Sequence, residues 1–149
     1  MAILRERPYG NFNFLVDLGN GTEGVEAGFE EALLPEAWLD VIEYRNGNER
    51  ENGVRKLPGR EHYGNLILRR GAIGSLNLYN WWNDVRNGDT TAFRTVTVQL
   101  QSEDHTAVVM TWKLLRAWPV RFKFSALDGK GDRPLLEVLE LAFERLELE

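Results

Sequence analysis

Apolar and polar residues alternate along several separate stretches of this chain, and this period of two constrains its fold more than any other feature. The alternation runs through residues 12–18, 93–100 and 108–114. A strand with one face on a core and the other in water has this period, whereas an amphipathic helix repeats about every 3.6 residues. The pattern therefore predicts a mainly β fold built from antiparallel strands.

A hairpin is predicted between the last two stretches, because the polar residues Gln101–His105 form a short, turn-forming link between them. A further strand is predicted over Tyr63–Arg70, with Leu66 and Leu68 on one face. Residues 134–149 fit either a helical stripe or a strand alternation, and periodicity leaves that choice open.

One segment breaks the period of two. Ser75 can cap a helix and Asn87-Gly88 can end it, so a single amphipathic helix is predicted at about residues 75–87. No linker or repeat divides the chain, and its 149 residues are predicted to form a single domain over residues 1–149. The predicted apolar stripe of the helix consists of Leu76, Tyr79, Trp82 and Val85.

The sequence GNGTEG at residues 19–24 has the G-x-G-x-x-G spacing of a dinucleotide-binding loop. In that motif Asp40 could serve as the acid that holds the ribose. The motif needs a helix after its third glycine, but Gly28 and Pro35 would cost that helix about 1 and 3 kcal/mol. Because hairpins also follow where β-α-β units are required, we favour a turn leading into a strand at residues 25–29. A nucleotide-binding enzyme is the distant alternative.

The charge and composition exclude several classes of protein. A formal net charge of −5 and a pI near 5.2 disfavour a phosphate-backbone binder, so no sequence-specific nucleic-acid binding is predicted. The chain has no cysteine, which excludes disulfides, thiolate zinc sites and cysteine nucleophiles. No apolar run approaches the roughly 20 residues of a membrane helix, and the N-terminus does not have the pattern of a signal peptide. Synthesis and folding in the cytosol are therefore expected.

Residues suited to chemistry are sparse. The two histidines, His62 and His105, have neither metal-ligand nor triad spacing, and we predict no catalytic residue, cofactor or metal. The five tryptophans could form a stacking platform, as in a sugar-binding β-sandwich. Since Trp82 and Trp112 fall on predicted apolar faces, packing in the core or between subunits is favoured.

Several short sequences stand in a fixed order along nearly the whole chain. They are FNFLVDL at residues 12–18, AGFEE at 27–31, IEYRNG at 42–47, KLPG at 56–59, LILRRG at 66–71, WW at 81–82, AWPV at 117–120 and VLELAFE at 138–144. In this order they resemble the tail-tube proteins of contractile phages and of extracellular contractile injection systems, and more distantly the type VI secretion tube protein. Phe143 departs from the family, where histidine is common, and GNGTEG is a longer turn than usual.

The resemblance implies a small antiparallel β-barrel or two-sheet sandwich flanked by one helix, in which the C-terminal run is a strand. Six copies are implied to join into rings that stack into a tube, and DNA or protein cargo passes through its lumen. The implied partners are further copies of the chain together with sheath, baseplate, and tape-measure or cap proteins. A baseplate-proximal tube initiator of the same family is the alternative function, and no catalytic residue is carried over.

Two surfaces are expected to serve such a tube. A lumen needs a polar sheet face, which Thr95, Thr97 and Gln99 provide on one strand. The mixed-charge stretch Arg45–Arg60, taken as a loop, is the candidate for contact between rings or subunits, because weak exposed ion pairs of about 0–1 kcal/mol each add up around a ring. The candidate contact residues are Arg45, Asn46, Glu49, Arg50, Glu51, Arg55, Lys56 and Arg60.

Overall fold

The computed structural model describes residues 1–19 and 28–149. Within these residues there are nine β-strands and one α-helix. The strands are β1 (Phe14–Asp17), β2 (Glu31–Leu33), β3 (Ala37–Tyr44), β4 (Arg55–Tyr63), β5 (Leu66–Gly71), β6 (Arg94–Gln101), β7 (Val108–Phe124), β8 (Leu136–Ala142) and β9 (Arg145–Leu148). The helix is α1 (Asn77–Arg86), and a short 3-10 helix follows at Thr90–Ala92.

Two antiparallel sheets share the long strand β7. Sheet 1 has the order β1-β6-β7-β9, and sheet 2 has the order β7-β8-β5-β2. The first part of β7, as far as Ala117, pairs with β6, and the part from Trp118 onward pairs with β8. Arg116 lies at this change of partner and has a positive φ of 54°. Strands that bend from one sheet into the other form the corners of sandwich folds.

Side chains from both sheets fill one hydrophobic core. Alternate residues of β5, β6 and β8 point inward, as the period of two requires, and each fully buried aliphatic side chain contributes about 1.5–3 kcal/mol. The predicted mainly β, antiparallel fold with one helix is confirmed, and the sheets form a sandwich-like structure, not a closed barrel. The described core residues with no exposed surface are Leu66, Leu68, Val96, Leu114, Ala117, Leu139 and Leu141.

The predicted hairpin is present, and Val98 of β6 lies opposite Trp112 of β7. Next to the register shift at Gln101, Val109 is buried but is not part of the core cluster, whereas Val108 is exposed. Strand β1 is shorter than the predicted residues 12–18, and Phe12 is exposed.

The C-terminal run forms strands, as the family resemblance implied. It is divided into β8 and β9 at Phe143 and Glu144, where the amide of Glu144 donates to the carbonyl oxygen of Leu115 at 3.0 Å. The strand alternation of β8, with Leu139 and Leu141 buried, therefore prevails over the helical stripe.

Helix α1 is present at the predicted place but presents a different face to the core. Leu78 and Trp81 are buried, whereas the predicted stripe residues Leu76 and Tyr79 are exposed. Both pairs of residues have helical spacing, so periodicity alone did not distinguish the buried face from the exposed one. The buried position of Trp81 is also fixed by its indole N–H, which donates to the carbonyl oxygen of Ala92 at 2.7 Å. The helix begins after Leu76, which occupies the N-cap position one residue later than predicted, but the Ser75 hydroxyl accepts from the amide of Asn77, the first helical residue, at 3.4 Å, as its predicted role required.

Of the GNGTEG motif, only Gly19 lies within the described residues, and the predicted turn and most of the strand at residues 25–29 lie outside them. Gly19 has a φ of 75°, and a Cβ there would lie 2.4 Å from the carbonyl oxygen of Thr95. Both the left-handed backbone and the close approach of β6 require glycine. Every strand pair among the described residues is antiparallel, so the parallel sheet of a dinucleotide-binding fold is not found in them.

Substituting Gly19 provides a test of this close approach. Gly19→Ala is expected to cost more than about 2 kcal/mol of unfolding free energy, because the left-handed backbone costs an alanine about 1–2 kcal/mol before any clash. Gly88→Ala is the matched control: Gly88 has a φ of 88°, but a Cβ at that position would have no neighbour within 4 Å. Urea unfolding of both variants measures the difference. Equal losses would mean that Thr95 does not constrain position 19.

Candidate assembly interface

A two-stranded ribbon projects from sheet 2, and we call residues 37–63, which comprise β3, β4 and their connection, the arm. The arm continues the β2–β5 pair, because the amide of Gly64 donates to the carbonyl oxygen of Glu36 at 2.9 Å and Ala37 then lies opposite Tyr63. At this base the ring of Tyr63 lies 5.3 Å from that of Phe143. The predicted strand at Tyr63–Arg70 is thus the end of β4 and most of β5.

All eight residues of β3 are exposed to solvent. Apolar side chains are prominent among them: Trp38 is 46% exposed, Val41 62% and Ile42 50%, and Leu57 on β4 is 50% exposed. An isolated two-stranded ribbon is marginally stable in water, and adjacent exposed apolar side chains mark interaction surfaces. The arm therefore has the character of a segment that packs against another molecule.

The strand register divides the arm into two faces, because alternate residues of a strand point to opposite sides. Ile42 lies opposite Leu57 on one face, and Val41 lies opposite Pro58 on the other. The first face is formed by Trp38, Asp40, Ile42, Tyr44, Arg55, Leu57 and His62, and the second face by Leu39, Val41, Glu43, Lys56, Pro58 and Glu61.

A small polar cluster lies on the first face. Nε2 of His62 is 2.8 Å from Oδ2 of Asp40, and the His62 ring stacks on Trp38 with 5.4 Å between ring centroids. Gly59 lies at the register shift of the ribbon, where a Cβ would come within 3.0 Å of the Cβ of Asp40. Because Gly59 has no side chain, the backbone of β4 can lie close to Asp40 at this bulge.

The predicted contact stretch Arg45–Arg60 is not a loop throughout. Residues 45–54 connect the strands, but Arg55, Lys56 and Arg60 lie on β4, so the loop prediction is wrong for residues 55–60. The sequence missed this because the strand contains Pro58 and Gly59 and does not alternate. Arg50 lies in the connection between β3 and β4, as the loop prediction had it.

Several of the predicted contact residues come together at the end of the arm. Arg45 donates from Nη2 to the carbonyl oxygen of Glu49 at 3.0 Å and from Nε to that of Glu51 at 3.1 Å. The carboxylate of Glu49 accepts from Asn46 at 3.3 Å and lies 3.3 Å from Nε of Arg55. These contacts give the tip a defined shape with cationic side chains at its surface.

Unpaired strand edges form a second potential contact surface. In the described part of the chain, β2 pairs only with β5, and the part of β7 from Trp118 to Phe124 pairs only with β8. An unpaired edge offers N–H and C=O groups to the strand of another chain. Sheet 2 therefore has an available edge on each side, and one of them continues into the arm.

The predicted polar face is present on sheet 1. Thr97 lies in a cross-strand row with Asp17, Lys113 and Glu147. Nζ of Lys113 lies 2.9 Å from Oε1 of Glu149; this hydrogen bond raises the pKa of Lys113 and lowers that of Glu149. The exposed side of sheet 1 is thus polar with charges of both signs, as a solvated sheet face requires.

A buried ion pair holds helix α1 against sheet 2. Nε of Arg70 lies 2.7 Å from Oε2 of Glu137, and both side chains are almost fully buried. Nη2 of Arg70 also donates to Oδ1 of Asn77, the first residue of the helix, at 2.5 Å. The alternation places Arg70 on the same face as Leu66 and Leu68, but the sequence did not indicate that Glu137 of β8 would lie opposite it.

The N-terminal segment is fastened by Glu103, which lies in the turn between β6 and β7. Its carboxylate accepts from Arg5 Nη2 at 2.5 Å and Nη1 at 3.0 Å, and from the amide of Gly10 at 3.3 Å. The hydrogen bonds from Arg5, followed by those from backbone amides, lower the pKa of Glu103 to about 2. The segment is therefore held by a carboxylate that stays ionised in moderate acid.

Acid titration tests the contacts of Glu103 with Arg5 and Gly10, which we call the clasp. Because the folded pKa of about 2 lies below the unfolded value near 4.3, the clasp is complete above the unfolded value and is lost as pH falls through about 2. The amide resonance of Gly10 should therefore titrate with a midpoint near pH 2 in NMR spectra. Glu103→Gln is expected to abolish the transition. A midpoint near pH 4 would show that the clasp does not form in solution.

Other chemical groupings are few. Trp81 is buried, and Trp38 on the arm stacks on His62 and on no other tryptophan. The described tryptophans therefore do not form a common surface on which a sugar could stack. Within residues 1–19 and 28–149, no cluster of three or more His, Cys, Asp or Glu could hold a metal ion. No helix in the described part of the chain is both long and apolar enough to span a bilayer.

Several solved structures share this architecture. The anti-feeding prophage baseplate contains a chain of 26% identity and TM-score 0.81, with 97% of each chain covered. A chain of the PVC extracellular contractile injection system, from its sheath–tube complex, has 23% identity and TM-score 0.83, covering 97% of this chain and 93% of that one. More distantly, Hcp1 from Flavobacterium johnsoniae has 15% identity and TM-score 0.53, covering 91% and 93%.

The sequence itself identifies the family. Residues 10–147 match the model of the T4-like virus tail tube protein gp19, and the chain belongs to this tail-tube family. No curated protein sequence matches it significantly. The family resemblance read from the ordered sequence motifs is confirmed, including the distant likeness to the type VI secretion protein.

Proposed function

We propose that this chain is the inner-tube subunit of a contractile tail or injection system. Six copies form a ring, rings stack into a tube, and DNA or protein cargo passes through the lumen. The observation that carries the proposal is the exposed, apolar arm, which continues an unpaired edge of sheet 2. The role is one of assembly, and no catalytic step belongs to it.

Ring closure follows from the edges of sheet 2. The edge of β7 at Trp118–Phe124 of one copy would pair with the β2 edge and arm of the next, which is a head-to-tail contact that closes into a ring. Four strands per copy and six copies, at about 4.8 Å per strand, give a circumference of about 115 Å and a backbone diameter of about 37 Å. In this arrangement the lumen is lined by the face of sheet 2 that points away from the core. The sequence-based expectation differs, because it assigned the lumen to Thr95, Thr97 and Gln99, which lie on sheet 1.

The proposed partners follow from the same role. A sheath surrounds the tube, a baseplate starts it, and tape-measure or cap proteins set its length. Related chains occur in a sheath–tube complex and at a tube-terminating cap, which supports contacts of this kind. Assembly takes place in the bacterial cytoplasm, before the tail or particle is released.

A tube initiator close to the baseplate is the second candidate function. The 26% identical chain comes from a baseplate structure, which favours this alternative specifically. An initiator would form rings that do not elongate by themselves, whereas a main tube subunit would form tubes of many rings.

Electron microscopy and sedimentation of the purified protein test these functions. Stacked rings support the main subunit, and single rings that do not lengthen at increasing concentration support the initiator. A protein that remains monomeric at high concentration, under conditions in which it is folded by circular dichroism, would exclude both.

The end of the arm is the proposed site of contact between rings or subunits. Replacing residues 46–53 with a short Gly-Ser link is expected to reduce ring stacking while leaving the melting temperature unchanged, since this connection lies far from the core. Tube length and yield are measured by electron microscopy. Unchanged tubes would remove Asn46, Glu49, Arg50 and Glu51 from the contact and leave Arg45, Arg55, Lys56 and Arg60 as its candidates.

A further inference from the structure

The side of sheet 2 that points away from the core presents charged and apolar side chains together. They lie in two cross-strand rows, each of which runs from β2 through β5 and β8 to β7. One row consists of Glu31, Arg69, Val138 and Lys123, and the other consists of Leu33, Ile67, Glu140 and Arg121. Under the proposed function these eight side chains line the lumen, and we call them the lumen face.

The lumen face differs in charge from the rest of the chain. Three of its side chains are basic and two are acidic, a formal charge of +1, which leaves −6 on the rest of a chain whose total is −5. In the proposed ring, Glu31 of the next copy comes beside the β7 edge, but each Glu31 lies 3.8 Å from Arg69 of its own copy. Ring closure therefore leaves the face with a charge of +1 per copy.

The basic groups of the lumen face are also more accessible than its carboxylates. The side chain of Arg121 is 66% exposed, whereas that of Glu140, whose Oε2 lies 3.5 Å from Nε of Arg121, is 21% exposed. The carboxylate of Glu140 also accepts from Asn65 at 3.0 Å. Lys123 is exposed and has no ion pair within the part of the chain that the structure describes. A molecule in the lumen would therefore meet Arg121 and Lys123 before it met Glu140.

Basic groups with apolar and acidic neighbours suit an acidic polypeptide better than DNA. Val138 lies opposite Lys123, Ile67 lies opposite Glu140, and both apolar side chains are partly exposed. Duplex DNA carries one negative charge per about 1.7 Å, so its phosphates would also lie over Glu140 and Glu31. A polypeptide can place carboxylates at the basic groups and apolar side chains beside them, which matches the mixed pattern of the face.

We propose that Arg121 and Lys123 form a cationic line in the lumen that holds the carboxylates of an acidic polypeptide cargo. This inference rests on the proposed function and names the class of cargo for the same lumen. Exposed ion pairs are individually weak, and the line is repeated in every copy of every ring. The cargo is thus retained by many contacts, each of which breaks easily when the cargo moves along the tube.

Assembly of the purified chain in the presence of labelled polyglutamate tests this inference. Polyglutamate should sediment with the particles and resist a glutamyl endopeptidase added afterwards. Arg121→Gln/Lys123→Gln changes the charge of the lumen face from +1 to −1 per copy and should lower retention about tenfold. Lys113→Gln/Arg145→Gln is the matched control, because it removes the same charge from the exposed face of sheet 1 and should retain polyglutamate normally.

The outcomes separate this inference from the proposed function. Lys123→Gln alone breaks no ion pair among the described residues, and it should still lower retention severalfold if the double variant does not assemble. Undiminished retention in both lumen variants, loss of retention in the sheet 1 control, or digestion of the sedimented polyglutamate would overturn the inference. Stronger retention of duplex DNA of equal total charge would overturn it in favour of nucleic acid. If electron micrographs of the unsubstituted chain show neither rings nor tubes, the proposed function fails and the inference fails with it.

Discussion

Replacing Glu137 with alanine is expected to lower the unfolding free energy by about 3–5 kcal/mol, because breaking a buried ion pair leaves the remaining charge uncompensated. The side chain left behind would be Arg70, which is 1% exposed. Domains are typically stable by about 5–15 kcal/mol, so much of the margin would be lost. Urea unfolding followed by tryptophan fluorescence measures the change.

Two further variants make this prediction specific. Glu140→Ala, on the same strand, removes an ion pair with the exposed Arg121 at 3.5 Å and an exposed hydrogen bond from Asn65 at 3.0 Å, and together these should cost about 1 kcal/mol. The double variant Arg70→Met/Glu137→Leu should recover most of the stability, because an apolar pair replaces the ionic one. Equal losses at Glu137 and Glu140 would contradict the role assigned to the buried pair.

The second large effect is expected on assembly and not on folding. Ile42→Ser/Leu57→Ser changes a cross-strand pair whose members are each 50% exposed and contact no part of the buried core. Covering the remaining half of both side chains is worth about 2 kcal/mol per subunit, so association should weaken roughly 30-fold. The melting temperature should stay within a few degrees of that of the unsubstituted protein.

A conservative variant provides the control for this effect. Ile42→Val/Leu57→Val keeps the first face apolar and should retain most of the assembly, as measured by sedimentation velocity over a concentration series. Loss of assembly in the conservative variant, or normal assembly in the serine variant, would show that apolar contact through this face does not drive association.

The strands that face one core on one side were predictable from sequence. In β5, Leu66 and Leu68 are buried and alternate with Ile67 and Arg69, as their period of two indicated. The helix was also predictable, but its buried face was not, since Leu78 and Trp81 share helical spacing with the exposed Leu76 and Tyr79.

The arm could not be predicted for a physical reason. Its strand β3 reads AWLDVIEY, in which apolar residues occupy both faces, so the single-sided alternation that identifies a surface strand is absent. The basic residues at its end were recognised as a contact candidate by composition alone. Their placement on a ribbon depends on the pairing of β3 with β4, a strand that contains Pro58 and Gly59. The buried Arg70–Glu137 pair was hidden similarly, because burial of a charge is decided by the facing strand and not by local sequence.

Strand β7 has a mechanical consequence for a subunit of a rigid tube. It runs without a break from Val108 to Phe124 through both sheets and passes the corner at Arg116. A pull applied to one sheet is thus transmitted to the other through the covalent backbone, in addition to side-chain contacts across the core. The two layers cannot slide past each other without breaking the hydrogen-bonded ladders on both sides of that corner, so the subunit resists shear between its sheets as one stiff body.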